Sequence, residues 1–102
     1  MRVIVFFDLP VGTKPERYHA TKFRNYLLSE GYYMIQFSVY GRLCNGIDAA
    51  YKHEKRLLDN VPSLGSVRVL TITEKQYTAM KILSGEKKEK EKPQESYQLS
   101  FF

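Results

Sequence analysis

Residues Val3 to Phe7 are apolar without interruption and are followed by Asp8, Leu9 and Pro10. A run of β-branched and aromatic residues, closed by a residue that cannot donate to a sheet ladder, predicts a strand buried on both faces. Asp8 then stands at the strand's exit, where rigid backbone meets water. A carboxylate held there is either an acceptor for the loop that follows or a site of chemistry.

After Pro10 the period changes. Thr13-Lys14-Pro15-Glu16 has the spacing of a capping box and predicts a helix from about Lys14, with Ala20, Phe23 and Leu27 as its core stripe, Tyr26 beside them and Gly31 as its stop. Lys14, Arg17, Thr21 and Arg24 recur at steps of three or four on another side, with Lys22 nearby. That cationic face reads as solvated surface or as a phosphate contact. Between residues 32 and 44 alternation takes over. Period two assigns Ile35, Phe37 and Val39 to the core and Gln36, Ser38 and Tyr40 to an outward face next to Arg42. One long strand, or a short one at 32–33 followed by another, satisfies this pattern.

A second helix is expected with Asn45 as its cap, Ile47, Ala50, Tyr51, Leu57, Leu58 and Val61 as its apolar stripe and Pro62 at its end. Glu54 interrupts that stripe, at its edge or in an ion pair, and His53 is expected to face water with Lys52, Lys55 and Arg56. A strand over 67–73, a capped turn around Tyr77 and an edge strand over 80–83 complete a domain spanning 1–84. Residues 85–95 hold lysines and glutamates up to Pro93 and predict an exposed charged linker. Residues 96–102 alternate and are aromatic, predicting a C-terminal strand in search of a sheet edge. The linker, extended, spans up to about 36 Å, so that strand reaches its own sheet or a second protomer.

This order is the split βαβ, ferredoxin-like βαββαβ arrangement, an α+β fold with a four-stranded antiparallel sheet and both helices on one face. The other sheet face keeps apolar residues, Phe6 or Phe7 among them, and a second copy of the chain would cover it.

At 102 residues the chain is one domain with a modest core. Its single Cys44 and an opening Met1-Arg2-Val3 without a long apolar stretch predict a cytoplasmic protein that does not engage a membrane. Lys and Arg total 16 against 11 acids, and the linker's charges cancel, so the folded part carries the net +5. A polyanion such as nucleic acid is the partner this charge suits.

The strand ending Phe6-Phe7-Asp8-Leu9-Pro10 is joined by Arg17, Lys22-Phe23-Arg24 and Leu27, then by Gly31 and Met34-x-Gln36-Phe37-Ser38-Val39-Tyr40 with Arg42, and by Thr73-x-x-Gln76-x-x-x-Met80. In these residues the chain resembles the small CRISPR-associated endoribonuclease family, the dimeric partner of the CRISPR integrase in spacer acquisition, and within it the branch that accompanies type II systems. The resemblance spans residues 1 to about 84, with Asp8 and the Gln-x-Ser-Val-Tyr segment as its specific parts. The linker and the aromatic terminus depart from the family.

The resemblance implies a homodimer with sheets face to face, exchanged C-terminal strands, and the two copies of Asp8 near the twofold axis. Two facing carboxylates suit octahedral Mg²⁺ or Mn²⁺, which would let phosphodiesters of RNA or DNA be hydrolysed without a histidine base. Asp8 is the implied catalytic and metal residue. Arg17, Lys22, Arg24 and Arg42 are the implied nucleic-acid contacts, and Gln36, Ser38 and Tyr40 the lining of the site. Three functions stay open at this point: a metal-dependent nuclease, a scaffold that binds duplex DNA and bridges integrase dimers without catalysis, and an RNA-recognition module. The last lacks its basic-glycine-aromatic signature.

Overall fold

The computed structural model describes residues 1–84. In chain order it contains β1 (Arg2–Asp8), α1 (Lys14–Ser29), β2 (Tyr33–Gln36), β3 (Val39–Leu43), α2 (Ile47–Leu58), β4 (Ser66–Ile72) and α3 (Glu74–Thr78). The sheet order is β2-β3-β1-β4 with antiparallel neighbours throughout, the ferredoxin-like α+β architecture that the sequence predicts. The charged linker and C-terminal strand expected at 85–95 and 96–102 lie outside the described residues.

β1 is an inner strand, paired to β3 on one side and β4 on the other. Its Val3 and Val5 are wholly buried and share one core with Phe23 and Leu27 of α1, Ala50 and Leu57 of α2, and Tyr32, Tyr40 and Cys44. Each fully buried Val or Leu contributes roughly 1.5–3 kcal/mol, so this layer between helices and sheet fixes the domain. Alternation sends Ile4, Phe6 and Asp8 to the opposite face. There Ile4 is covered by its neighbours, but Phe6, Tyr33, Leu43 and Leu70 remain 39%, 37%, 53% and 53% exposed. α3 closes only one end of that face. The Arg2 guanidinium lies 4.3 Å over the Tyr77 ring, pairs with Glu74 at 2.6 Å and donates to the Tyr33 hydroxyl.

Both capping boxes form. The Glu16 N–H donates to Thr13 Oγ1 at 3.2 Å while the Thr13 N–H donates to Glu16 Oε1 at 2.9 Å, and Thr73 and Gln76 repeat the exchange for α3. α1 closes as the Tyr32 N–H returns to the Leu27 carbonyl at 3.0 Å.

Elsewhere the pattern misleads. Residues 32–44 are two strands joined by a turn at Phe37 and Ser38, with a register shift between Met34 and Gln36. The shift and the turn invert the expected faces: Phe37 is 86% exposed, whereas Tyr40 is 3% exposed, within the core. α2 takes Gly46, not Asn45, as its cap and makes no side-chain cap bond. Of its expected stripe only Ala50 and Leu57 are buried, while Tyr51 and Leu58 face water. Glu54 sits at the edge of the buried face, as one of its two expected readings had it, and accepts from the Thr71 hydroxyl. Residues 80–83 form no strand.

His53 does not face water. Its ring stands edge-on to Tyr32 with centroids 6.0 Å apart, and its buried Nδ1 lies 3.9 Å from Glu30 Oε1. The Glu30 carboxylate accepts from Arg56 Nε and Nη2, each at 2.8 Å, and its backbone carbonyl accepts from Arg42 Nε at 2.7 Å. The end of α1 is thus tied to α2 and β3. The Arg56 hydrogen bonds hold the Glu30 carboxyl below its usual range, and burial, reinforced by the Arg42 charge, pushes His53 down against the pull of Glu30.

With both folded values depressed, the unfolded chain binds protons more readily on the acid side. Stability is therefore full above the unfolded histidine value of about 6.5 and is lost as pH falls toward the folded value, with a further loss below about 4.5 as Glu30 protonates. Thermal unfolding between about pH 7 and about pH 5 is expected to show a falling midpoint in the wild type and a flatter one in His53→Gln. Equal slopes would mean that His53 is not the titrating group.

Candidate functional site

Asp8 ends β1 on the open face, exposed, opposite Ser66 of β4. Its main chain is held from two sides. Gly65 packs against it with φ +92°, and a Cβ there would stand 2.7 Å from the Asp8 carbonyl oxygen and 3.1 Å from Leu9 Cα. On the other side the Phe7 N–H donates to the Ser38 carbonyl at 3.0 Å. The Asp8 carboxylate itself is engaged by no hydrogen bond or ion pair among the described residues. A loop acceptor, the structural alternative for this residue, is therefore not its role in the fold.

The same end of the sheet gathers several of the predicted residues. Arg17 Nη1 donates to the Val11 carbonyl at 3.1 Å, so this cation is pinned to the loop leaving β1. Arg24, half-buried, lines a groove of about 400 Å³ with Phe7, Leu9, Met34, Ser38 and Tyr40. Ser38 occupies the hairpin turn, and Gln36 is exposed at the end of β2. Asp8 belongs to the open face of this end, whereas Arg24 and the groove belong to its helical side.

Three predicted residues fall elsewhere. Tyr40 is buried, its ring 5.6 Å from that of Phe7, so it forms a wall of the groove and not an exposed face shared with Gln36 and Ser38. Arg17 and Arg24, seven residues apart, share one side of α1, but Lys22 lies well round the helix. It lines a second groove with His19, Asp59 and Asn60. Arg42 pairs with Val3 at the far end of β1, and its guanidinium is spent on the carbonyls of Glu30 at 2.7 Å and Leu43 at 2.8 Å.

Two residues of the site escape the sequence reading. Gly65 carries a faint signal, a glycine directly before a strand. Phe37 carries none, because its two-residue turn contains neither Gly nor Asn, the residues that announce hairpins.

Among the described residues no three of His, Cys, Asp and Glu come together as a metal site. Asp8 does offer a hard oxygen donor of the kind that Mg²⁺ and Mn²⁺ take. One chain is short of a divalent site, and the donor set fits such an ion only if a second carboxylate arrives across the uncovered face.

Known proteins resemble this chain in sequence and in fold. Residues 1–80 match the family described as CRISPR associated protein Cas2. The CRISPR-associated endoribonuclease Cas2 of Acidovorax ebreus is 58% identical over 102 residues, the full length of both chains. That of Ligilactobacillus salivarius is 48% identical over 87 residues, covering 85% of this chain and 86% of its own. The fold is similar to that in the crystal structure of Streptococcus pyogenes Cas2 at pH 6.5, with a TM-score of 0.60 and 20% identity over 82% of this chain and 100% of that one.

The clamp on Asp8 can be tested through its glycine. Gly65 and Gly46 both have positive φ, +92° and +94°, but a Cβ at Gly46 would meet nothing within 4 Å. Gly46→Ala is expected to cost about 1 kcal/mol of backbone strain, and Gly65→Ala about 2–3 kcal/mol because the main chain of Asp8 and Leu9 must also move. Urea unfolding of the two variants checks this, and equal midpoints would show that Gly65 does not hold the exit of β1.

Proposed function

The chain belongs to the CRISPR-associated Cas2 family, and from that premise we propose that two copies pack through their open sheet faces, hold nucleic acid by its phosphates, and join their Asp8 carboxylates in one hydrolytic site. The observation that carries this reading is a free carboxylate at the rim of an uncovered apolar face. Phe6, Leu43 and Leu70 on that face need cover, and a twofold partner supplies the same residues in return. At Gly41 the Ile4 and Ile35 side chains close over the backbone of that face, since a Cβ there would come within 2.9 Å of Ile35 Cδ1 and 3.3 Å of Ile4 Cδ1.

Within the dimer each Asp8 contributes oxygen ligands for one Mg²⁺ or Mn²⁺. When bound, such a cation supplies polarisation of the phosphoryl group and acidification of water. The residues of the chain do the rest. Gly65 and the Phe7–Ser38 hydrogen bond keep the Asp8 backbone still, Arg17 and Arg24 hold phosphates at the same end, and Lys22 extends the cationic surface across α1. Arg42, committed to the Glu30 and Leu43 carbonyls, is left out of this set. The relatives are named endoribonucleases, so an RNA phosphodiester is the first substrate to try. Binding of duplex DNA and bridging of integrase dimers in spacer acquisition is the biological setting proposed for the same surface.

The outer edge of β4 pairs with no strand among the described residues. It is the proposed acceptor for residues 96–102 of the second copy. Removing residues 93–102 is expected to weaken the dimer or its capture of the integrase, and unchanged mass by light scattering with unchanged capture would refute the exchange.

Cleavage of RNA and duplex DNA in Mg²⁺ or Mn²⁺, by wild type and Asp8→Ala, tests the hydrolytic site. Losing even an outer-shell partner of a metal costs roughly 10- to 100-fold, so losing a ligand is expected to cost at least roughly 100-fold. Duplex affinity should persist in that variant and fall steeply with salt. Each of Arg17→Ala and Arg24→Ala should flatten the logarithmic salt slope by about 0.9 per copy. No cleavage by either protein, with salt-sensitive binding by both, would overturn the hydrolytic site and leave a scaffold that binds nucleic acid without catalysis.

A further inference from the structure

The groove on the helical side of the Asp8 end is shaped for more than a phosphate. Phe37 stands at its rim with 86% of its surface exposed. Ser38 beside it has φ 63°, a left-handed backbone that serine adopts at a cost and glycine would not. The hairpin thus spends backbone strain at the very turn that puts a phenyl ring into water, and such strain concentrates where a site needs it. Phe7, Leu9, Met34 and Tyr40 give the groove apolar walls, and its volume of about 400 Å³ lies in the range of roughly 300–1,000 Å³ typical of small-ligand sites.

Its charge is one-sided. Arg24 is half-buried in the wall, engaged by no hydrogen bond or ion pair among the described residues, and no carboxylate lines the groove. An unpaired guanidinium against apolar walls and an exposed aromatic ring calls for an occupant that is flat, apolar in its faces and anionic at one point. We propose that the groove takes one unpaired nucleotide of a nucleic-acid strand, its base stacked on Phe37 and its phosphate on Arg24. This rests on the reading that the Asp8 end handles nucleic acid, and adds to it a preference for strands with an unstacked base. A second copy of the chain is the weaker occupant. The groove's walls Phe7 and Tyr40 belong to the helical side, so a copy covering the open sheet face leaves it free.

The chain contains no tryptophan, so Phe37→Trp places a single indole at the groove. Its emission would be followed while adding a single-stranded oligonucleotide, an abasic strand of equal length, a blunt duplex, and the same duplex with a single-stranded overhang. Stacking predicts quenching by the single strand and the overhang and none by the abasic strand. Phe37→Ala should weaken overhang binding by roughly 5- to 100-fold, the effect of one lost base–aromatic stack, with blunt-duplex affinity intact and Phe37→Tyr close to wild type. Salt-sensitive duplex binding without quenching, or equal quenching by the abasic strand, would overturn the nucleotide groove and leave the phosphate-binding surface standing. No binding of any nucleic acid would overturn both. A lower mass for Phe37→Ala in light scattering, with overhang affinity unchanged, would make Phe37 a contact between copies and also overturn it.

Discussion

β1 is packed on the helices by one face, paired along both edges and left open on the other face, and the rest of the molecule depends on that asymmetry. Val3 and Val5 anchor the strand in the core, so its alternation has no freedom left: Ile4, Phe6 and Asp8 must emerge on the uncovered side. A slip of one residue would bury Asp8 and expose the valines. The carboxylate's position is therefore a consequence of core packing, refined by Gly65 and by the hydrogen bond from Phe7 to Ser38.

The cations divide by task along the same strand. At the Arg2 end they are spent on the fold: Arg2 on Glu74 and the Tyr77 ring, Arg42 on the end of α1, Arg56 on Glu30. At the Asp8 end Arg17 is held only by one loop carbonyl and Arg24 by nothing described. Sequence counts all of these as one basic excess. Only their partners separate the structural cations from those left over for a polyanion.

That distinction marks how far the sequence could be read. β1, both capping boxes, the order of elements and the exit position of Asp8 are written in local signals, and so is the shared side of Arg17 and Arg24. Period two failed between Ile35 and Tyr40, because one register shift and a turn without glycine reverse the faces, sending Phe37 out and Tyr40 in. His53 turns from water for a related reason: its ring is covered by Tyr32, which arrives from outside α2. The groove of Phe37 and Arg24 joins β1, α1 and the hairpin, and no single stretch of chain announces it. The proposed metal site, completed by a second copy, would likewise be invisible in one chain, since among the described residues no three of His, Cys, Asp and Glu come together.

At the centre of the proposed function, two copies share one site across the open face. Titration of the intact chain with Mn²⁺, read as bound ion against protein concentration, addresses it without needing a substrate. A shared site predicts one ion for every two chains and loss of that binding in Asp8→Ala. One ion for every chain, or binding that survives the substitution, would contradict it.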